Sequence, residues 1–100
     1  MLVCDDNNPN IIKFIERKKT AGYLSGANIS VGVSDVFMAQ VKAAEAGSTK
    51  SDDLAAKAIW DVIIESAWSS AEPGIIWMER YNNMSNSHFY NEGLIVATNP

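Results

Sequence analysis

The chain has 100 residues, 47% of them hydrophobic and 20% charged, which is a globular composition and not that of a disordered tail. A net charge of −4 argues against phosphate-backbone binding as a main task, because nucleic-acid-binding domains carry a clustered basic face. Cys4 is the single cysteine, which excludes an intramolecular disulfide and favours a reducing, cytoplasmic compartment. No apolar run reaches the roughly 18 residues of a membrane span, and the first residues lack the basic and apolar regions of a signal peptide.

Leu2 to Cys4 is a short apolar run ended by Asp5-Asp6, a strand entering a turn. Asn7-Asn8-Pro9 predicts a helix start, with Asn8 as cap and Pro9 in the first turn, and Ile11, Ile12, Phe14 and Ile15 form its apolar stripe. The basic run Lys13 to Lys19 is a solvated helix end, where cations favour the dipole, and Gly22 and Gly26 break the pattern. Residues 28–33 alternate, with Ile29, Val31 and Val33 on one face of a predicted strand and Ser30 and Gly32 on the other. A glycine inside a strand weakens it unless another backbone or a ligand must come close there.

Ser34 is positioned to cap the next helix, which carries Phe37, Val41 and Ala44 at helical spacing and stops at Gly47. Ser51 is the expected cap of the longest helix, which runs to about Ala71 with Asp52 and Asp53 near its positive end. Ala55, Ile59, Val62 and Ile63 give one apolar stripe, and Trp60, Ile64 and Trp68 widen it into a face that calls for burial on two sides. After the turn Glu72-Pro73-Gly74, Ile75 to Met78 is continuously apolar, as in a strand covered on both faces. The stretch from Arg80 to Glu92 is polar, without helical period, and is expected to be a long loop; Leu94 to Ala97 resumes a buried-strand pattern. This order of elements predicts an α/β fold with parallel strand pairs.

Few residues suggest chemistry by themselves. Gly22-x-x-x-Gly26 lacks the Lys-Ser/Thr of a phosphate loop, and His88 and Cys4 are too isolated to predict a metal site. His88 could serve as a general base, although a loop histidine without an acidic neighbour is more often a packing or surface residue. Cys4 precedes two aspartates, whose charge disfavours a thiolate, so it is expected to be a small buried hydrophobe. Trp60, Trp68 and Trp77 are placed on core faces.

Four stretches, in order, nonetheless resemble the catalytic chain of ribonucleotide reductases, most of all the adenosylcobalamin (vitamin B12)-dependent class. The residues from Asn8 through Pro9, Asn10, Ile11 and Ile12 to Phe14 and Ile15 resemble that family's His-Pro-Asp-Ile-x-x-Phe-Ile helix start, with Asn8 and Asn10 replacing His and Asp. Residues 28–38 resemble its Asn-Ile-Ser-Val-x-Val-Thr/Ser-Asp-x-Phe-Met strand and helix. Glu72 to Trp77, followed by Arg80, Asn82 and Met84 to Ser87, resembles the segment leading to the active-site strand. Ala97-Thr98-Asn99-Pro100 matches the opening of Ala-Thr-Asn-Pro-Cys-Gly-Glu.

The resemblance implies that residues 1–100 are part of a ten-stranded α/β barrel domain and contain no complete domain. It implies a ribonucleoside-diphosphate reductase, which makes deoxyribonucleotides for DNA synthesis by thiyl-radical chemistry. Asn99 would be the substrate-binding asparagine that hydrogen-bonds the ribose hydroxyls. The family's radical cysteine would follow Pro100 and its general-base glutamate would come two residues later, so the 100 residues alone are expected to be inactive. Adenosylcobalamin is the implied cofactor, held by more than this segment. The implied partners are a ribonucleoside di- or triphosphate, a thioredoxin-like reductant and the rest of the reductase chain, with no nucleic acid and no membrane. The end at Pro100 fits a truncated gene model, an intein boundary or a true C-terminus. The competing expectation is a stand-alone small α/β interaction module derived from a reductase.

Overall fold

The run from Leu2 is drawn into a sheet because its backbone pairs with the alternating segment that begins at Ile29. In the computed structural model, which describes residues 1–19, 26–90, 93–95 and 98, these segments are β1 (Leu2–Asp5) and β2 (Ile29–Val33). A third strand, β3 (Gly74–Trp77), lies on the other side of β2, and both pairings are parallel, giving the order β1-β2-β3. Parallel neighbours need crossover connections. Helix α1 (Ile11–Glu16), extended by a 3-10 turn at Arg17–Lys19, lies between β1 and β2. Helices α2 (Asp35–Glu45) and α3 (Ser51–Ser70) lie between β2 and β3.

One face of the sheet carries the core. Cys4, Val31 and Ile75 are register neighbours across the strands and, with Val33, pack on Ile11 and Ile15 of α1, Phe37 and Val41 of α2, and Ala56 and Ile63 of α3. Ile15 and Ile63 are fully buried, and each such side chain contributes about 1.5–3 kcal/mol through removal from water. The ring of Trp60 meets Phe37 edge-on, at a centroid distance of 6.4 Å and an interplanar angle of 60°, the geometry that the ring quadrupoles favour.

The opposite face, with Val3, Asp5, Ser30, Gly32, Gly74 and the buried Ile76, carries none of these three helices. A Cβ at Gly32 would stand 2.9 Å from Asp5 Oδ1 and 3.1 Å from Met78 Cγ, so the close approach that an interior glycine calls for is made by those two side chains. A Cβ at Gly74 would stand 2.9 Å from Ser30 Oγ.

Local chemistry sets the helix ends. Ser34 Oγ accepts from Phe37 N at 3.1 Å, as the sequence predicts. Gly47, at φ +101°, closes α2 with its N–H on Ala44 O, while Ser48 N donates to Ala43 O. This is the paired-bond stop that a left-handed glycine permits.

Two starts move from their expected places. Asn8 caps no helix directly: its Oδ1 accepts from Asn10 N at 2.8 Å and its carbonyl from Ile11 N at 3.0 Å, a side-chain turn that delays α1 to Ile11. Ser51 is the first residue of α3 and not its cap, which is Lys50 without a side-chain bond.

Three further expectations are corrected. The stretch after Arg80 is not a long loop, since Met78–Met84 forms α4 and Asn86–Phe89 forms α5. α4 shows no strong apolar period because it buries no residue and is held by polar bonds instead. β3 is not covered on both faces: it is an edge strand of the described sheet, only Ile76 is buried, and Trp77 is 39% exposed. Trp68 is not a core residue either, being 91% exposed on the side of α3 turned away from Ile63 and Ser66. Of the predicted last strand, Leu94 and Ile95 lie outside any strand and Leu94 is 73% exposed; residues 96 and 97 fall outside the described residues.

Candidate functional site

In parallel α/β sheets, ligands collect at the carboxyl ends of the strands. Here those ends bring together Asp5 and Asp6 after β1, Ser34 and Asp35 after β2, and Met78 and Glu79 after β3. The start of α2 lies among them, and its free N–H groups would attract an anion. Three of the N–H groups there are already engaged. Ser34 N donates to Asp6 Oδ2 at 2.5 Å, Asp35 N donates to Glu79 Oε2 at 3.1 Å, and Phe37 N donates to Ser34 Oγ. Carboxylates that follow the two flanking strands, Asp6 after β1 and Glu79 in α4, therefore tie this edge together.

A cleft of about 420 Å³ opens beside this edge, lined by Asp6, Ser34, Phe37, Gln40, Asp52 and Ile59. Its acidic lining disfavours an anionic ligand. A second, of about 330 Å³, has the opposite character, with Lys42 and Arg80 beside Trp77, Met38 and Asp35. Among the described residues, no three His, Cys, Asp or Glu side chains are grouped so as to hold a metal ion.

Further along, Asn82 of α4 joins the helix to the chain's last part. Its Nδ2 donates to Met78 O at 3.0 Å and to Ile95 O at 3.2 Å, and its Oδ1 accepts from Ile95 N at 2.5 Å. Sequence reasoning picked out Asn82 only as a motif position. Nothing local in the sequence points to a bond thirteen residues away.

Asn99, the one residue expected to contact substrate, lies outside the described residues. His88 falls in α5, and its side chain is also outside them. Cys4 is half-buried in β1 against the core, and burial together with the charge of Asp5 pushes its thiol pKa above the ordinary value. That is the inert setting expected of it. Trp60 is half-buried in the packing, as expected, and the structure does not gather the three tryptophans into one site.

Residues 42–100 match the family model described as the barrel domain of ribonucleotide reductase. The chain belongs to that family. It is 35% identical, over 116 aligned positions, to a vitamin B12-dependent ribonucleoside-diphosphate reductase of Thermoplasma acidophilum. The alignment takes in 100% of this chain and 14% of that relative, so the chain spans about one seventh of the relative's length. No solved structure matches it significantly. The three parallel strands with α1, α2 and α3 on one face agree with the α/β class expected from the sequence. No helix among the described residues is long and apolar enough to cross a membrane.

Proposed function

We propose that these 100 residues are one section of the barrel of a ribonucleoside-diphosphate reductase, and that the longer catalytic chain reduces ribonucleotides to deoxyribonucleotides. The observation that carries this reading is identity at 35% running through the whole chain to a reductase of that printed activity. The geometry supports it. In a ten-stranded α/β barrel the helices lie outside, so the face opposite α1, α2 and α3, with Ser30, Gly32 and Gly74, would turn inward. Exposed Trp68, Met84 and Leu94 are surfaces that further parts of such a body would cover, which favours a barrel section over a stand-alone module.

Asn99 is the proposed substrate contact, donating to and accepting from the ribose hydroxyls. The thiyl-radical cysteine and the general-base glutamate of the family motif have no counterpart here: Cys4 is the single cysteine, and its raised thiol pKa suits a packing role. Residues 1–100 alone are therefore inactive, and a thioredoxin-like reductant would serve the longer chain in the cytoplasm. Adenosylcobalamin, when bound, supplies the radical in this class. The described residues do not fit it by themselves, because clefts of about 330–420 Å³ suit small organic ligands and a corrinoid is far bulkier.

The test is to express the entire polypeptide the gene encodes and assay deoxyribonucleotide formation from each ribonucleoside di- and triphosphate. Turnover that depends on added adenosylcobalamin is expected. A folded polypeptide that reduces none of them overturns the reading, and turnover that needs a separate protein subunit instead overturns the cobalamin assignment.

A further inference from the structure

Asn82 does more than end a short helix. Its carboxamide uses all its hydrogen-bonding groups: both N–H donors go to carbonyls, Met78 O at 3.0 Å and Ile95 O at 3.2 Å, and the oxygen accepts from Ile95 N at 2.5 Å. The flipped amide would set its oxygen against two carbonyl oxygens and its NH₂ against an N–H, so this network fixes its orientation. Toward Ile95 the carboxamide behaves as a neighbouring strand would, exchanging one bond in each direction with a single residue.

The Met78 bond ties the carboxamide to its own helix one turn back, which removes its freedom to follow Ile95. Met78 in turn is wedged against Gly32, its Cγ 3.1 Å from where a Cβ would be. A continuous path thus runs from the central strand through Met78 and Asn82 to the backbone of Ile95. Ile95 also lines an open cleft together with Arg80, Tyr81, Met84 and Ser85. Residues 93–95 belong to no strand or helix, so no ladder or helical bond holds them in place.

We propose that Asn82 is a positioning residue that sets the register of the chain entering the Ala97-Thr98-Asn99-Pro100 motif. The role rests on the reductase reading, in which the residues just beyond Ile95 meet the substrate. The two bonds to the backbone of Ile95 fix which residue stands opposite Asn82, so a slip there moves a different residue into that place. Alanine removes both bonds to Ile95. Aspartate keeps the length and the acceptor for Ile95 N but faces two carbonyl oxygens with a carboxylate.

The experiment compares Asn82→Ala and Asn82→Asp with the parent in the entire polypeptide the gene encodes. Amide hydrogen exchange is followed at Ile95, at Val31 in β2 and at Ile63 in α3, and ribonucleotide turnover is measured alongside. In Asn82→Ala, exchange at Ile95 rises roughly 10-fold or more, as expected for two lost backbone bonds, with Val31 and Ile63 unchanged, and kcat/KM falls by a comparable factor. Asn82→Asp keeps part of the Ile95 protection and loses turnover all the same. Unchanged exchange at Ile95, a parallel rise at all three amides, or full turnover despite a loosened Ile95 would each overturn the positioning role. A parent polypeptide without turnover overturns the reductase reading instead, and the exchange data still report whether Asn82 holds Ile95.

Discussion

Replacing Ser66 with alanine should stabilise the fold. Ser66 lies on the buried stripe of α3 at 0% exposure, and its hydroxyl has no hydrogen-bond partner among the described residues. Its carbonyl, by contrast, accepts from Ser70 Oγ at 2.9 Å and from Ser69 Oγ at 3.2 Å, bonds that alanine preserves. A buried hydroxyl left unpaired costs about 1–3 kcal/mol in proteins, and alanine adds roughly 0.5 kcal/mol of helix propensity over serine. Only a hydroxyl is removed, so almost no cavity opens. The two effects have the same sign, and Ser66→Ala should gain about 1–3 kcal/mol. Urea unfolding followed by circular dichroism measures this as a rise in midpoint at unchanged slope. Ser69→Ala, which removes an exposed hydroxyl, is the control and should stay within about 0.5 kcal/mol of the parent. A Ser66→Ala midpoint equal to or below the parent's would refute the argument, because the hydroxyl must then have a partner worth more than its burial costs.

Other perturbations probe the cap, the thiol and the exposed tryptophan. Ser34→Ala removes the acceptor for Phe37 N and should cost about 1 kcal/mol in the same unfolding experiment; no loss would mean that Asp6 and Glu79 suffice to start α2. Burial and the Asp5 charge raise the Cys4 pKa in the folded state. The native chain then holds that proton more tightly than the unfolded one, so this contribution is fully present below the ordinary thiol pKa and is lost as pH rises through the folded value. Cys4→Ala should flatten the alkaline fall in stability, and iodoacetamide should alkylate native Cys4 more slowly than the urea-unfolded chain at pH 8. Equal rates would contradict the burial argument. Trp68→Gln should change stability by less than about 0.5 kcal/mol, given its 91% exposure; a loss of several kcal/mol would return Trp68 to the core.

The legible part of the fold is the part whose determinants are local. Ile29, Val31 and Val33 alternate, Ser34 follows as a cap and Gly47 as a stop, and β2 and α2 form within those limits. The parallel pairing of β1, β2 and β3 follows from the helices between them. α4 was illegible because polar bonds to distant residues hold it, Glu79 to Asp35 N and Asn82 to Ile95, and not an apolar stripe. Trp68 misled for a related reason. Its spacing from Trp60 and Ile64 widens the apolar face of α3, but the core is met by the stripe through Ala56, Ile63 and Ser66 with Ile59, Trp60 and Val62 beside it, and Ile64 and Trp68 stay exposed. Of the candidate site, Asn99 is legible as a motif position and lies outside the described residues; the tie from Asn82 to Ile95 was not legible, because it is made in three dimensions.

The most direct test of the account is the Asn99→Ala substitution in the entire polypeptide the gene encodes, read as steady-state reduction of a ribonucleoside diphosphate with adenosylcobalamin and a dithiol reductant. Loss of the ribose contacts should lower kcat/KM by about 100-fold or more, since bonds to substrate hydroxyls that are unmade leave buried polar groups unpaired. Folding, followed by the exchange of Val31 and Ile63, should stay the same. An Asn99→Ala polypeptide with the parent's kcat/KM would contradict the claim that this segment delivers a substrate-binding residue into a reductase barrel.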